Sequence, residues 1–151
     1  MRKILLLLLL FISSLGYSQV KITPILIPYV DEFIEEAKNR NIDVIPDLLK
    51  LEYIILAASP NKLGLYSEYN KIIYINYFII NDDMMARAVI FHELFHALYK
   101  LDHCHEEGLD LMCASKPLRF TFAYYHNDEV WHNELEKSFN RAKKVISKRK
   151  N

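Results

Sequence analysis

Apolar positions along the chain change period several times, and the changes outline its elements. Ile4 to Ile12 is an unbroken apolar run behind Arg2 and Lys3 and ahead of Gly16-Tyr17-Ser18, the layout of a cleaved export signal. Residues 1–18 are therefore set apart from the fold. Val20 to Ile27 is short, apolar and punctuated by Pro24, with Pro28 just beyond, which suits an extended lead-in. From residue 28 to 40, Val30, Phe33, Ile34 and Ala37 recur at helical spacing; Pro28 fits a first turn, and Asp31 and Glu32 favour the N-terminal end. Asn41 to Lys50 reads as a connection, and Leu51 to Ala57 as a strand. After a turn region holding Ser59-Pro60-Asn61 and Gly64, Leu65 to Ile80 gives the strongest strand pattern. There Ile73, Ile75 and Tyr77 alternate with Ile72, Tyr74 and Asn76.

Helical spacing returns after Asn81-Asp82-Asp83, a good cap, and predicts a helix from about Asp83 to Tyr99. Met85, Ala88, Val89, His92, Phe95 or His96, and Tyr99 track one face, which is expected to be the buried one; Phe95 and Leu98 are assigned to the core. A last stripe of Val130, Trp131, Leu135, Phe139, Ala142 and Ile146 predicts a C-terminal helix from Asp128. The fold class is α+β: one domain over residues 19–151, a twisted mixed sheet packed on an N-terminal helix and the 83–99 helix, closed by the C-terminal helix.

Composition changes this picture at three points. The chain has 151 residues and no net charge, yet residues 137–151 hold seven Lys or Arg and no acid, leaving ten basic against nineteen acidic residues between Gln19 and Glu136. No domain-wide basic surface exists for nucleic acid, and the basic end reads as a solvated face that suits the negative end of a helix. The apolar run near the N-terminus is shorter than the roughly 20 residues a bilayer needs, so a secreted or periplasmic protein without a stable membrane span is expected after signal cleavage. An oxidising compartment in turn allows Cys104 and Cys113 to pair, closing a short loop.

The chemistry gathers on residues 92–113. His92 and His96 stand four apart, so on a helix both imidazoles leave one face and reach a single Zn²⁺ at roughly 2.0–2.1 Å. Glu93, beside them, is placed to act as general base on a water at the metal. A catalytic zinc takes three protein ligands and keeps a fourth position open. His103 follows His96 by seven residues, which on an unbroken helix would carry it about 10.5 Å along the axis. To ligate, it requires the helix to end between about Lys100 and Asp102.

H-E-x-x-H, a further His just past the helix and a downstream Met resemble the metzincin group of zinc metallopeptidases, closest to the matrixin-like branch, in a short exported bacterial form. The resemblance implies a zincin-like domain, zinc held by His92, His96 and His103, catalysis by Glu93, a Met-turn at Met112 forming the floor under the metal, and a peptide or protein substrate. It also implies that the strand before the active-site helix lies near the cleft edge, where a peptide can add as a further strand, with plain packing within the sheet as the default role. Tyr124, Tyr125 or Arg119 are the residues such a site could use against an oxyanion, with aromatic packing as their other role. The sequence departs from the family pattern twice: the usual spacing lands on Asp102 rather than His103, and Tyr99-Lys100 replaces the Gly that lets the helix turn. Asp102 stays open as third ligand, with His103 favoured because neutral imidazole is the commoner zinc ligand. Two further readings remain: a gluzincin-type site completed by Glu129 or Glu134 of the C-terminal helix, and a zinc-binding module without turnover.

Overall fold

Tyr53–Ala57 (β2) and Ile72–Asn76 (β4) form the middle of a four-stranded mixed sheet, because their β-branched and aromatic residues suit a pleated surface buried on one side. The computed structural model describes residues 20–59, 61–103, 111–112 and 127–149. Lys21–Ile22 (β1) runs parallel to β2, β2 runs parallel to β4, and Gly64–Ser67 (β3) closes the other flank antiparallel to β4. The register sets Ile54 beside Ile73, and Ile75 follows on the same face; all three are fully buried.

Four helices accompany the sheet among the described residues: α1 (Ile27–Asn39), α2 (Ile45–Leu48), α3 (Asp83–Tyr99) and α4 (Asp128–Arg149). Phe33 on α1 is the node that joins three of them. Its ring lies 5.0 Å from Phe91 and 5.2 Å from Phe95, both on α3, and 5.5 Å from Phe139 on α4. Burial of rings of this size dominates core energetics. The caps expected for α3 are present at its start, where the Asp82 side chain accepts the Met85 N–H at 3.0 Å. No helix among the described residues is long and apolar enough to cross a membrane.

Four expectations need correction. The strand read over residues 65–80 is two strands and a helical turn. It breaks first at a tight turn in which Lys71 takes a left-handed conformation (φ 57°). It breaks again where the Asn76 carboxamide accepts the Phe78 N–H at 3.1 Å and starts a 3₁₀ turn, Tyr77–Asn81. Apolar alternation runs through both breaks because it records side-chain character and not backbone direction. Second, the strand entering α3, β4, is interior and packs in the sheet in place of forming a cleft edge; the edge strands are β1 and β3. Third, the 41–50 connection contains α2, with Pro46 in its first turn, and the lead-in holds only β1 before a 3₁₀ turn at Pro24–Leu26. Fourth, α3 is buried on nearly every side: Ile90, Phe91, Leu94, Phe95 and Leu98 take the core, while His92 and His96 sit on the half-buried remainder.

Residues 1–18, Cys104, Cys113, Arg119, Tyr124 and Tyr125 lie outside the described residues, and so do the export signal, the disulfide and the oxyanion contacts expected of them.

Candidate metal centre

One turn of α3 brings His92 and His96 together: their Nε2 atoms are 2.9 Å apart, with rings at 4.6 Å. The helix then stops. Lys100 adopts the left-handed conformation (φ 53°) at the position after Tyr99, and its N–H returns to the His96 carbonyl at 3.0 Å. This is the αL stop that Gly usually provides, here made by a lysine that also pairs with Glu68 on the β3–β4 turn. The chain leaves the axis, and His103 swings back so that its Nε2 lies 3.1 Å from the Nε2 of both His92 and His96.

The three nitrogens form a triangle whose chemistry can be tested for a metal. Ring nitrogen Nδ1 of His92 lies 2.8 Å from the Leu111 carbonyl; a carbonyl only accepts, so Nδ1 carries the proton and Nε2 presents its lone pair. The His96 ring likewise donates to the backbone of Leu101. Burial first, and the nearby His103 second, push His96 below its ordinary pKa, with Arg141 acting in the same direction and the Leu101 hydrogen bond and Asp102 opposing. Neutral imidazole is the form that ligates. Lone pairs at this separation repel unless a cation lies between them. A single proton bridges one pair of the three nitrogens; a divalent ion serves all three at once. A tetrahedral ion with bonds of about 2.0–2.1 Å sets its ligand atoms roughly 3.3–3.4 Å apart, so the triangle needs to open by a few tenths of an ångström. Three imidazoles suit zinc among the divalent metals. His92 and His96 are half-buried and His103 is exposed, which leaves one side of the triangle towards solvent.

Among the described residues the group able to hold a metal consists of these three side chains. Asp102 stands outside the group, and its carbonyl accepts from Arg141 at 2.7 Å. Glu129 stands outside the group, and so does Glu134, which is buried on α4 and paired with Lys137 at 3.0 Å. The geometry thus favours His103 over each of the alternatives that spacing left open. Met112 is fully buried, and the carbonyl of the residue before it is the one that orients His92, the outer-shell contact that fixes tautomer and ring plane in a metal-binding histidine.

The Glu93 side chain lies against β3, with its carboxylate beside Gly64 and the Tyr66 backbone N–H. It is 6% exposed, and burial pushes its carboxyl up to about 7, against the opposing effects of the Tyr66 backbone N–H and the Lys62 charge. Space for it comes from Gly64. A Cβ at that position would lie 2.7 Å from Cγ and Oε1 of Glu93 and 2.7 Å from Cγ1 of Val89, so only a glycine lets the edge strand approach α3 this closely. Gly64 reads in the sequence as a turn residue. Its position at the start of a strand pattern was the available signal for a close backbone approach. The contacts of Leu111 with His92, of Tyr66 with Glu93 and of Arg141 with the Asp102 carbonyl have no such signal, since nothing in local spacing brings these residues together.

No family model, no curated protein and no solved structure matches the chain.

Proposed function

We propose that the chain is an exported zinc-dependent endopeptidase of the metzincin type. The single observation that carries the reading is the convergence of His92, His96 and His103 through their Nε2 atoms, with an intrahelical carboxylate, Glu93, tuned by burial to about 7. When bound, zinc supplies Lewis acidity towards a carbonyl and lowers the pKa of water at its open position. Glu93 takes the proton of the attacking water and returns it to the leaving amine, a task that asks for a pKa near the working pH. The N–H of Tyr66 favours the ionised carboxylate, the form Glu93 has before it takes the proton and after it has given it up. Leu111 keeps His92 in the ligating tautomer.

A peptide substrate is supported by the sheet edge. β3 is one of the two edge strands, β1 being the other, and it is the edge that lies against Glu93 through Gly64; an extended peptide that adds to that edge by backbone hydrogen bonds runs past the carboxylate. The zincin-like ancestry and the export signal rest on the sequence resemblance and the N-terminal pattern.

The test is a metal analysis of the purified mature protein with a peptidase assay. One zinc per chain is expected, with Glu93→Gln keeping the metal and losing peptide cleavage by several orders of magnitude. A wild type that holds zinc yet cleaves neither peptides, proteins nor cell-wall peptides would show a binding module in place of an enzyme.

A further inference from the structure

His92 and His96 inherit their positions from α3, whereas His103 stands three residues past its αL stop with no helix of its own. We propose that Arg141, on α4, is the positioning residue for His103, an inference that rests on the metal-site reading above. Arg141 Nη2 donates to the Asp102 carbonyl at 2.7 Å. That carbonyl belongs to the same planar peptide unit as the His103 N–H, so pinning it fixes the plane from which the His103 side chain departs. The bond is charge-assisted, which makes it stronger than a neutral one and more demanding in direction.

The same face of α4 supplies an internal control. Arg149 Nη2 donates to the Leu98 carbonyl at 3.2 Å, a residue still inside α3. Both arginines tie α4 to the end of α3, but Arg141 alone grips the segment beyond the helix. The basic end of α4 is therefore more than a solvated face: part of it closes the site from behind. A second consequence follows from linkage. If Arg141 helps hold the ligand that holds the metal, metal in turn favours the docked position of α4 by the same free energy.

Zinc affinity, measured by competition with a chromophoric chelator on the full mature chain, tests this. Arg141→Ala is expected to weaken zinc binding about 10–100-fold, the usual cost of removing an outer-shell contact. Arg149→Ala is expected to lower thermal stability about as much as Arg141→Ala does, while leaving zinc affinity close to wild type. Arg141→Lys, which keeps a charged donor, is expected to recover part of the loss; it also carries the comparison should Arg141→Ala not fold. In a His103→Ala background, Arg141→Ala is expected to cause no additional loss, because its effect runs through that ligand. Wild-type affinity in Arg141→Ala, or a further loss of the same size when His103 is already absent, overturns the positioning role and leaves the metal site standing. A wild type without zinc affinity overturns both.

Discussion

The two halves of the candidate metal centre are built by different means. His92 and His96 ride on a helix that the core grips from almost every side, through Phe91, Leu94 and Phe95. His103 depends on a left-handed lysine, a turned-back chain and contacts with distant residues. A local rule, the four-residue helical repeat, sets the first pair; tertiary structure sets the third ligand. The contrast teaches that damage to the core and damage to the turn should have separable signatures, one in stability and the other in metal affinity.

The largest expected effect attacks the core side. Phe33→Ala removes the ring that meets Phe91, Phe95 and Phe139 and should cost about 3–5 kcal/mol in urea unfolding of the metal-free protein. That is a large fraction of the stability of an ordinary domain. A loss below about 1 kcal/mol would mean that α1 is not the anchor described.

Next comes a pH effect on Glu93. Its folded pKa, about 7, is raised above the ordinary 4.5, so between those values the folded state holds a proton that the unfolded state has lost. Stability then falls as pH rises through this window and levels off above it. Taken as the difference between wild type and Glu93→Gln, in chelator so that metal plays no part, the decline should total roughly 2–4 kcal/mol between about pH 4.5 and 7. His96, held below its ordinary pKa by burial, contributes with the opposite sign, and the difference measurement cancels it. A difference that stays flat across the window would contradict the buried position of the carboxylate.

Gly64→Ala separates the carboxylate from the metal. The added Cβ meets Glu93 and Val89 at 2.7 Å; overpacking of this kind costs about 1–3 kcal/mol, and displacing a catalytic group by about 1 Å can cost on the order of 100-fold in turnover. Zinc content should stay at the wild-type level while kcat falls. Unchanged kcat would remove the edge strand from the site.

The smallest effect sharpens the turn. Lys100 has φ 53°, a conformation that costs a side chain roughly 1–2 kcal/mol and glycine little. Its pair with Glu68 is more than half exposed on both sides and contributes little. Lys100→Gly should therefore raise the stability of the apo protein by up to about 1 kcal/mol. Lower stability would assign the ion pair a larger share than solvent exposure allows.

What the sequence discloses follows the same division. The α3 helix, its cap at Asp82, its end near Lys100, the β2 strand and the α4 stripe are written in local spacing. The break of the 65–80 pattern is not, since Tyr77 and Phe78 are as apolar as the strand before them and lie exposed outside it. Of the site, His92, Glu93 and His96 are plain from the motif. His103 and Asp102 are neighbours that spacing alone does not rank, and the decision falls to where the αL stop points the chain. Leu111 and Arg141 act through a backbone carbonyl or on one, and side-chain patterns do not reveal such contacts.

X-ray absorption at the zinc edge of the metal-loaded chain addresses the central claim most directly. Three imidazole nitrogens and one oxygen at about 2.0–2.1 Å, falling to two imidazoles in His103→Ala, is the expected result. A shell with two imidazoles in the wild type, or three that persist without His103, would contradict it.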